Sequence, residues 1–172
     1  MRNTLPENVA EHSFDVAVLT HALCEIARIQ FGKEVDTGRA VTFALFHDVE
    51  EVITGDIPTP VKHHNQRLLQ SLRDMEALAG ERLLEMVPQE LLPVYEPLVL
   101  HPPDNVARWV KAADKLAAYL KCSAELAAGN REFAVAQRQL HVAVQSLHMP
   151  EVEYFLAHFA PAFEQTLDEI SE

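Results

Sequence analysis

The sequence predicts an all-α domain. The chain has 172 residues but only 5 glycines, and its apolar residues recur at steps of three and four, the period of a helix with one buried face. No stretch of alternating β-branched residues predicts a strand. A chain of this length is expected to form one domain and to bury a core without disulfides. We therefore predict a single helical domain over residues 1–172, with about six to seven helices.

Caps, glycines and prolines delimit the first predicted elements. A helix is expected from about Asn8 to Ile29, because the apolar period begins just after a residue that favours N-caps. The second helix is predicted to begin at the N-cap Asp36-Thr37 and to end at Gly55, since glycine suits a helix C-terminus. Pro58 and Pro60 then impose an extended loop, because a proline disfavours helical geometry in the residue before it.

The later helices are predicted from the same signals. A loop is expected at His101–Pro103, and Asn105 is expected to cap the helix that follows it. The predicted helices in this part of the chain are about Val61–Met86, Gln89–Leu98, Asn105 to Gly129-Asn130, Glu132–Leu147 and Glu151–Ile170.

Charge and hydropathy restrict the possible partners. The chain carries 14 Lys plus Arg against 26 Asp plus Glu, a formal net charge of -12, which disfavours binding to nucleic acid polymers and anionic membranes. No apolar run approaches the ~18 residues of a membrane span, and the residues after Met1 do not form a secretory signal. We therefore expect a cytoplasmic protein, with Cys24 and Cys122 as buried thiols.

A tetrad of His12, His47, Asp48 and Asp114 is the strongest functional signal. Imidazole and carboxylate are ligands of divalent cations, and two of each leave coordination positions for water and a phosphate oxygen. This donor set admits Mn, Co, Zn, Fe or Ni. It makes hydrolysis of a phosphate ester the leading hypothesis.

The context of each ligand supports this interpretation and leaves alternatives open. His47 and Asp48 follow an apolar run and are expected about 100° apart on one helix, so that both reach one ion. Asp114 lies in the segment AADKLAA, where we expect it to be buried; a salt bridge to Lys111, Lys115 or Arg108 is the alternative. His12 by itself would be a core or capping histidine.

Two further carboxylates are assigned roles. Glu51 comes four residues after His47 and three after Asp48, so on a continuous helix it would project over the same spot. There it could take the proton of the attacking water, and Glu50 is expected on a solvated face. Asp56 is predicted to bind a substrate hydroxyl from the proline-stiffened loop; a helix-terminating turn is the alternative.

With these residues in place, the chain resembles the HD-domain metal-dependent phosphohydrolases, and more narrowly the bacterial 5'-deoxynucleotidases of the YfbR type. The segments that carry the resemblance are ENVAEHS around His12, FHDVEEVITGDIPTPVK at 46–62, KAADKLAAYLKCSAELAAGN at 111–130, and LDEIS at the end. The resemblance implies an HD-domain helical bundle and a homodimer. The implied reaction is removal of the 5'-phosphate from deoxyribonucleoside 5'-monophosphates by a metal-activated water.

The resemblance also implies roles for individual residues. His12, His47, Asp48 and Asp114 would bind one divalent ion, and Glu51 would be the catalytic carboxylate. The substrate would contact a loop of four residues, namely Asp56, Ile57, Pro58 and Thr59.

One feature of the family has no counterpart in this sequence. An Arg-Trp pair that orients the phosphate lies upstream of the segment that begins here as MRN, and Arg2 does not match its position. We expect either that the first helix of the family is missing from this chain or that other groups orient the phosphate.

Two other functions fit the same pattern. One is an HD-type nucleotide or alarmone pyrophosphohydrolase, which would release pyrophosphate instead of free phosphate. The other is a non-catalytic helical domain whose metal is structural and has a closed coordination sphere.

Overall fold

The computed structural model describes residues 3–4, 6–57, 62, 65–100, 103–165 and 168–169. Within these ranges all regular secondary structure is helical and no strand occurs, which confirms the all-α prediction. The α-helices are α1 (Val9–Phe31), α2 (Thr37–Phe46), α3 (Glu51–Thr54), α4 (Gln66–Leu84), α5 (Leu92–Val99), α6 (Asp104–Ala127), α7 (Ala134–Gln145) and α8 (Pro150–His158). Short 3-10 helices span Gln89–Leu91, Arg131–Phe133 and Ala160–Glu164.

The two long helices α1 and α6 form the centre of the domain. Both pack against each other and against α2, while α7 covers α6 and α8 covers α1. Leu23 of α1, Phe43 of α2 and Leu116 of α6 are buried in one apolar cluster. Burial of each such side chain stabilises the fold by about 1.5–3 kcal/mol. The core therefore holds together α1 and α6, which carry His12 and Asp114, and α2, the helix directly before His47 and Asp48.

The predicted start of α1 is confirmed. Asn8 is the N-cap, and its side chain accepts hydrogen bonds from the N–H groups of Ala10 and Glu11. Gly32 ends the helix with φ 61°, a left-handed conformation that glycine adopts without the steric cost of a Cβ atom.

The prediction that the second helix continues to Gly55 is wrong. α2 ends at Phe46, and a turn of four residues separates it from α3. In that turn the N–H groups of Val49 and Glu51 donate to carbonyls three residues earlier, at 3.2 and 3.0 Å. The carbonyl of Ala44, which an α-helix would offer to the Asp48 N–H, instead lies 2.7 Å from His47 Nδ1. The side chain of His47 thus occupies the carbonyl that the next hydrogen bond of α2 would use.

Three other predicted boundaries also differ from the structure. α6 begins at Asp104 with Pro103 at the N-cap, and not with Asn105 as the cap. The last predicted helix ends at His158 and continues as a 3-10 segment, because Pro161 has no N–H with which to bond the Ala157 carbonyl. α4 is capped by Asn65 and so begins later than predicted; Val61 lies outside the described residues.

None of the helices in the described part of the chain combines the length and apolar character needed to span a bilayer.

Candidate metal centre

The four residues of the predicted tetrad lie close together. His12 is in the second turn of α1, His47 and Asp48 lie in the turn after α2, and Asp114 is in the middle of α6. His12 Nε2 is 3.2 Å from Asp114 Oδ1 and 3.7 Å from Asp48 Oδ2, and His47 Nε2 is 3.1 Å from the same Asp48 oxygen. One ligand atom from each of His12, His47 and Asp114 lies within 4.8 Å of the others. Packing of α1, α2 and α6 therefore produces a compact group of imidazoles and carboxylates.

The backbone sets the tautomer of His47. Its Nδ1 lies 2.7 Å from the Ala44 carbonyl oxygen, which can only accept, so Nδ1 carries the proton. In the neutral ring Nε2 then has a free lone pair. This nitrogen is buried and makes no aligned hydrogen bond, although Asp48 lies close to it. A buried nitrogen without an aligned hydrogen bond, facing a carboxylate, suits a metal ligand.

The charges around the tetrad also favour a bound cation. The hydrogen bond to Asp114 raises the pKa of His12 to about 9 against the effect of burial, and the carboxylates of Asp48 and Glu7 add to the rise. For His47, burial opposes the charged form, yet the adjacent carboxylate of Asp48 raises its pKa overall. The carboxylates thus stabilise positive charge on the imidazoles, and a divalent ion would satisfy the same field.

The expected burial of Asp114 is wrong. Its side chain is 44% exposed, although Ala113 beside it is fully buried. Its described ion-pair partner is His12, and not Lys111, Lys115 or Arg108. A half-exposed carboxylate leaves the centre open to solvent on one side, which a substrate needs for access.

Glu51 is buried and ion-paired. Its side chain is 8% exposed, and Lys62 Nζ lies 3.0 Å from its Oε1 and 3.4 Å from Glu76. Burial raises the pKa of Glu51, the hydrogen bond from Lys62 lowers it, and the charge of Asp48 raises it again, with a net rise. The expectation of one continuous helix through Glu51 is wrong, because α2 and α3 are separate. The projection of Glu51 toward the two ligands stays a prediction, which the effect of the Asp48 charge on the pKa of Glu51 supports.

Glu50 is not on a solvated face. It is half-buried, and burial raises its pKa to about 7, with further contributions from Asp48, Glu76 and Glu51. The expectation of a fully solvated side chain is therefore wrong.

The predicted substrate loop lies only in part within the described residues. Asp56 is exposed and Ile57 is half-buried, directly after Gly55 ends α3. The negative charge of Asp56 contributes to the raised pKa of Glu51, so the loop begins near the centre. Pro58 and Thr59 lie outside the described residues.

Sequence reasoning missed two residues that touch the site. Lys62 closes the segment DIPTPVK, where a lysine after a proline-rich loop indicated no role. Glu7 begins the segment ENVAEHS, and its Oε1 lies 3.0 Å from His12 Nδ1. The spacing of Glu7 and His12 around an N-cap could have predicted this contact, because the residue before the cap lies next to the fourth helical residue.

Comparison with known proteins identifies the family. The family described as 5'-deoxynucleotidase YfbR-like matches residues 1–163. The chain belongs to this family. The YfbR-like chain is 46% identical over 175 residues to a 5'-deoxynucleotidase of Vibrio parahaemolyticus, covering 99% of this chain and 89% of that protein. It is 44% identical over 174 residues to 5'-deoxynucleotidase YfbR of Shigella boydii, covering 100% of this chain and 87% of the relative.

Solved structures support the fold of the YfbR-like chain. An HD-domain phosphohydrolase from Listeria innocua superposes with a TM-score of 0.80 at 24% identity, covering 94% of this chain and 79% of that one. The PH0347 protein from Pyrococcus horikoshii gives a TM-score of 0.63, also at 24% identity, covering 94% and 84%. These likenesses confirm the predicted HD-domain helical bundle.

Proposed function

We propose that His12, His47, Asp48 and Asp114 of this metal-dependent phosphohydrolase hold one divalent ion. The reaction is removal of the 5'-phosphate from deoxyribonucleoside 5'-monophosphates. The main support is the convergence of the tetrad, in which His47 Nε2 is buried without an aligned hydrogen bond and lies 3.1 Å from Asp48. The names of the relatives, 5'-deoxynucleotidases over essentially the whole chain, supply the substrate class.

The ion and the protein would divide the chemistry. When bound, a divalent cation supplies Lewis-acid stabilisation of charge on the phosphoryl oxygens and lowers the pKa of water. Glu51 takes a proton from the attacking water as the water oxygen bonds to phosphorus. The bond between phosphorus and the 5'-oxygen breaks, the 5'-oxygen of the nucleoside takes a proton from solvent, and Glu51 then releases its proton to solvent. The carboxylate form of Glu51 is required, and the ion pair with Lys62 favours it. The donor set admits Mn, Co, Zn, Fe or Ni.

The segment Asp56, Ile57, Pro58 and Thr59 is proposed to bind the nucleotide. Support comes from Asp56, which is exposed at the start of the loop and electrostatically coupled to Glu51. Its carboxylate can accept a hydrogen bond from a sugar hydroxyl, because an ionised carboxylate only accepts. The conformation of Pro58 and Thr59 lies outside the described residues.

The decisive experiment is phosphate release after metal removal. The stripped protein is assayed with deoxyribonucleoside and ribonucleoside 5'-monophosphates before and after addition of Mn or Co. We expect metal-dependent release of free phosphate that is selective for the deoxy forms. Glu51→Gln should lose at least about a hundredfold in rate, the scale of a missing general base. Glu81→Gln, an exposed carboxylate of α4, is the matched charge control.

Other outcomes would contradict specific parts of the proposal. Release of pyrophosphate from nucleoside triphosphates or alarmones, without cleavage of monophosphates, would favour the pyrophosphohydrolase. Metal binding without turnover on any deoxynucleotide would favour the non-catalytic domain. Full activity in Glu51→Gln would remove that residue from the reaction.

We further propose that the chain is a homodimer. Phe14 and Val18, four residues apart on one face of α1, are 62% and 52% exposed, and Ile29 near the end of α1 is 73% exposed. A second copy would cover such apolar side chains. The molar mass from size-exclusion chromatography with light scattering tests this: twice 19.3 kDa is expected, and a monomer at micromolar concentration would contradict it. The cytoplasmic location stays a prediction.

A further inference from the structure

We propose that Glu7 is a positioning residue that holds the imidazole of His12 in the orientation and tautomer that a metal ligand requires. This inference rests on the proposed metal site. It assigns a role to a residue of the segment before α1, outside the tetrad.

The N-cap of α1 brings Glu7 and His12 together. Asn8 is the N-cap with extended φ -104° and ψ 166°, and it forms a reciprocal capping box with Glu11. Glu7 therefore occupies the position before the cap, and His12 the fourth helical position. These two positions commonly hold a pair of apolar side chains that pack across the cap, the hydrophobic staple. In this chain the same local geometry joins a carboxylate to an imidazole.

The contact decides which nitrogen of His12 faces the tetrad. Glu7 Oε1 lies 3.0 Å from Nδ1, and an ionised carboxylate only accepts, so Nδ1 carries a proton. The other nitrogen, Nε2, faces Asp114 at 3.2 Å and Asp48 at 3.7 Å. A carboxylate that accepts from the distal N–H of a metal-binding histidine fixes the ring and raises its basicity. Glu7 has the geometry for that effect.

Glu7 is itself held by α6. Its Oε2 lies 3.8 Å from Lys121 Nζ, which is 3.7 Å from the buried carboxylate of Glu125. Thr4 donates its N–H and its hydroxyl to Glu125, at 3.0 and 2.6 Å. Asp114 lies on the same helix about two turns before Lys121. One rigid element therefore positions both the ligand Asp114 and the segment that orients His12.

A matched set of variants separates this role from an effect of net charge. Glu7→Ala removes the contact, and Glu7→Gln keeps an amide oxygen that can accept from Nδ1 without the charge. Glu11→Gln changes the charge equally, one residue from His12, and keeps the capping box because glutamine also serves there. If Glu7 acted only through net charge, Glu11→Gln would have the same effect.

Two measurements report on the role without relying on turnover. The first is the affinity for Co²⁺, measured by competition with a chelating dye. We expect Glu7→Ala to weaken binding about tenfold or more, as for other residues that support metal-binding histidines. Glu7→Gln should weaken it by about threefold, since a neutral acceptor binds less strongly, and Glu11→Gln should match the wild type. The second is the ¹⁵N spectrum of the His12 ring in Zn²⁺-loaded protein, in which the Nδ1 proton should be protected only when Glu7 is present.

Each outcome gives a distinct conclusion. Wild-type protein that binds neither ion contradicts the proposed metal site itself. Wild-type protein that binds Co²⁺, together with Glu7→Ala of equal affinity and an unchanged His12 spectrum, overturns the role of Glu7 and leaves the site intact. Equal losses in Glu7→Ala and Glu11→Gln overturn it in favour of a charge effect. If Glu7→Ala fails to fold by circular dichroism, Glu7→Gln decides: unchanged affinity and spectrum overturn the proposal.

Discussion

The ion pair between Lys62 and Glu51 gives a prediction about the pH dependence of turnover. Lys62→Met removes the cation and keeps a side chain of similar length. Glu51 is 8% exposed and its carboxylate lies 3.0 Å from Lys62 Nζ. Burial already raises the pKa of Glu51, and Lys62 opposes that rise. Without Lys62 the pKa of Glu51 should therefore rise further.

The magnitude follows from the contact. A hydrogen bond between charged groups contributes about 1.5–3 kcal/mol. The lower end applies, because Lys62 is 25% exposed and shared with Glu76 at 3.4 Å. About 1.5 kcal/mol corresponds to about a tenfold change in the protonation equilibrium. Since the base is the carboxylate form, the acid limb of the rate profile should move to higher pH by about one unit, with little change on the plateau.

The assay is phosphate release from a deoxyribonucleoside 5'-monophosphate with saturating Mn, from about pH 5 to about pH 9. Lys62→Arg keeps the charge and should leave the acid limb near its wild-type position. An unchanged acid limb in Lys62→Met would refute the reasoning. A uniform loss at every pH would refute it too, and would indicate that Lys62 acts on the substrate phosphate instead of on Glu51.

Three further predictions concern stability and reactivity. Leu116→Ala in α6, where the side chain is fully buried, should lower the free energy of unfolding, measured with urea, by about 2–5 kcal/mol. Leu78→Ala, at an exposed position of α4, should change that free energy by less than about 0.5 kcal/mol. The pKa of His12 is raised to about 9, chiefly by Asp114, so its contribution to stability is complete below the unfolded value of about 6.5 and is lost as the pH rises to about 9. The Tm of metal-free protein should fall across that window, and a fall of equal size in His12→Gln would contradict the assignment. Burial raises the pKa of Cys24 to about 12, so a thiol reagent at about pH 8 should label it only after denaturation; rapid labelling of the folded protein would show that the thiol is accessible.

Helix ends were predictable where a local cap determines them. Asn8 and Gly32 bound α1 through hydrogen bonds and dihedral angles of their immediate neighbours, so residue type alone indicates them. The end of α8 at His158 also depends on a local signal, because Pro161 has no N–H with which to continue the helix. The prediction of one helix to Ile170 gave too little weight to that proline. The contact of Glu7 with His12 also follows from the cap spacing.

The turn at His47-Asp48 was not predictable from periodicity. The apolar pattern continues through it, and the break depends on the side chain of His47 taking the Ala44 carbonyl. The helical-wheel argument for Glu51 assumed a continuous helix that the structure does not have. The ion pair of Glu51 with Lys62, 11 residues later, is a tertiary contact that no local rule predicts.

The sequence by itself determined the all-helical fold class, the main caps and the residue types of the centre, because these depend on backbone propensity and on donor chemistry. Only the tertiary structure decided that His12 and Asp114, 102 residues apart, lie 3.2 Å from each other. It also decided that Asp114 is half-exposed and that Glu51 is buried against Lys62. Such contacts depend on the packing of α1, α2 and α6 around one core. This packing is determined by how the surfaces of several helices fit together, and not by any single segment.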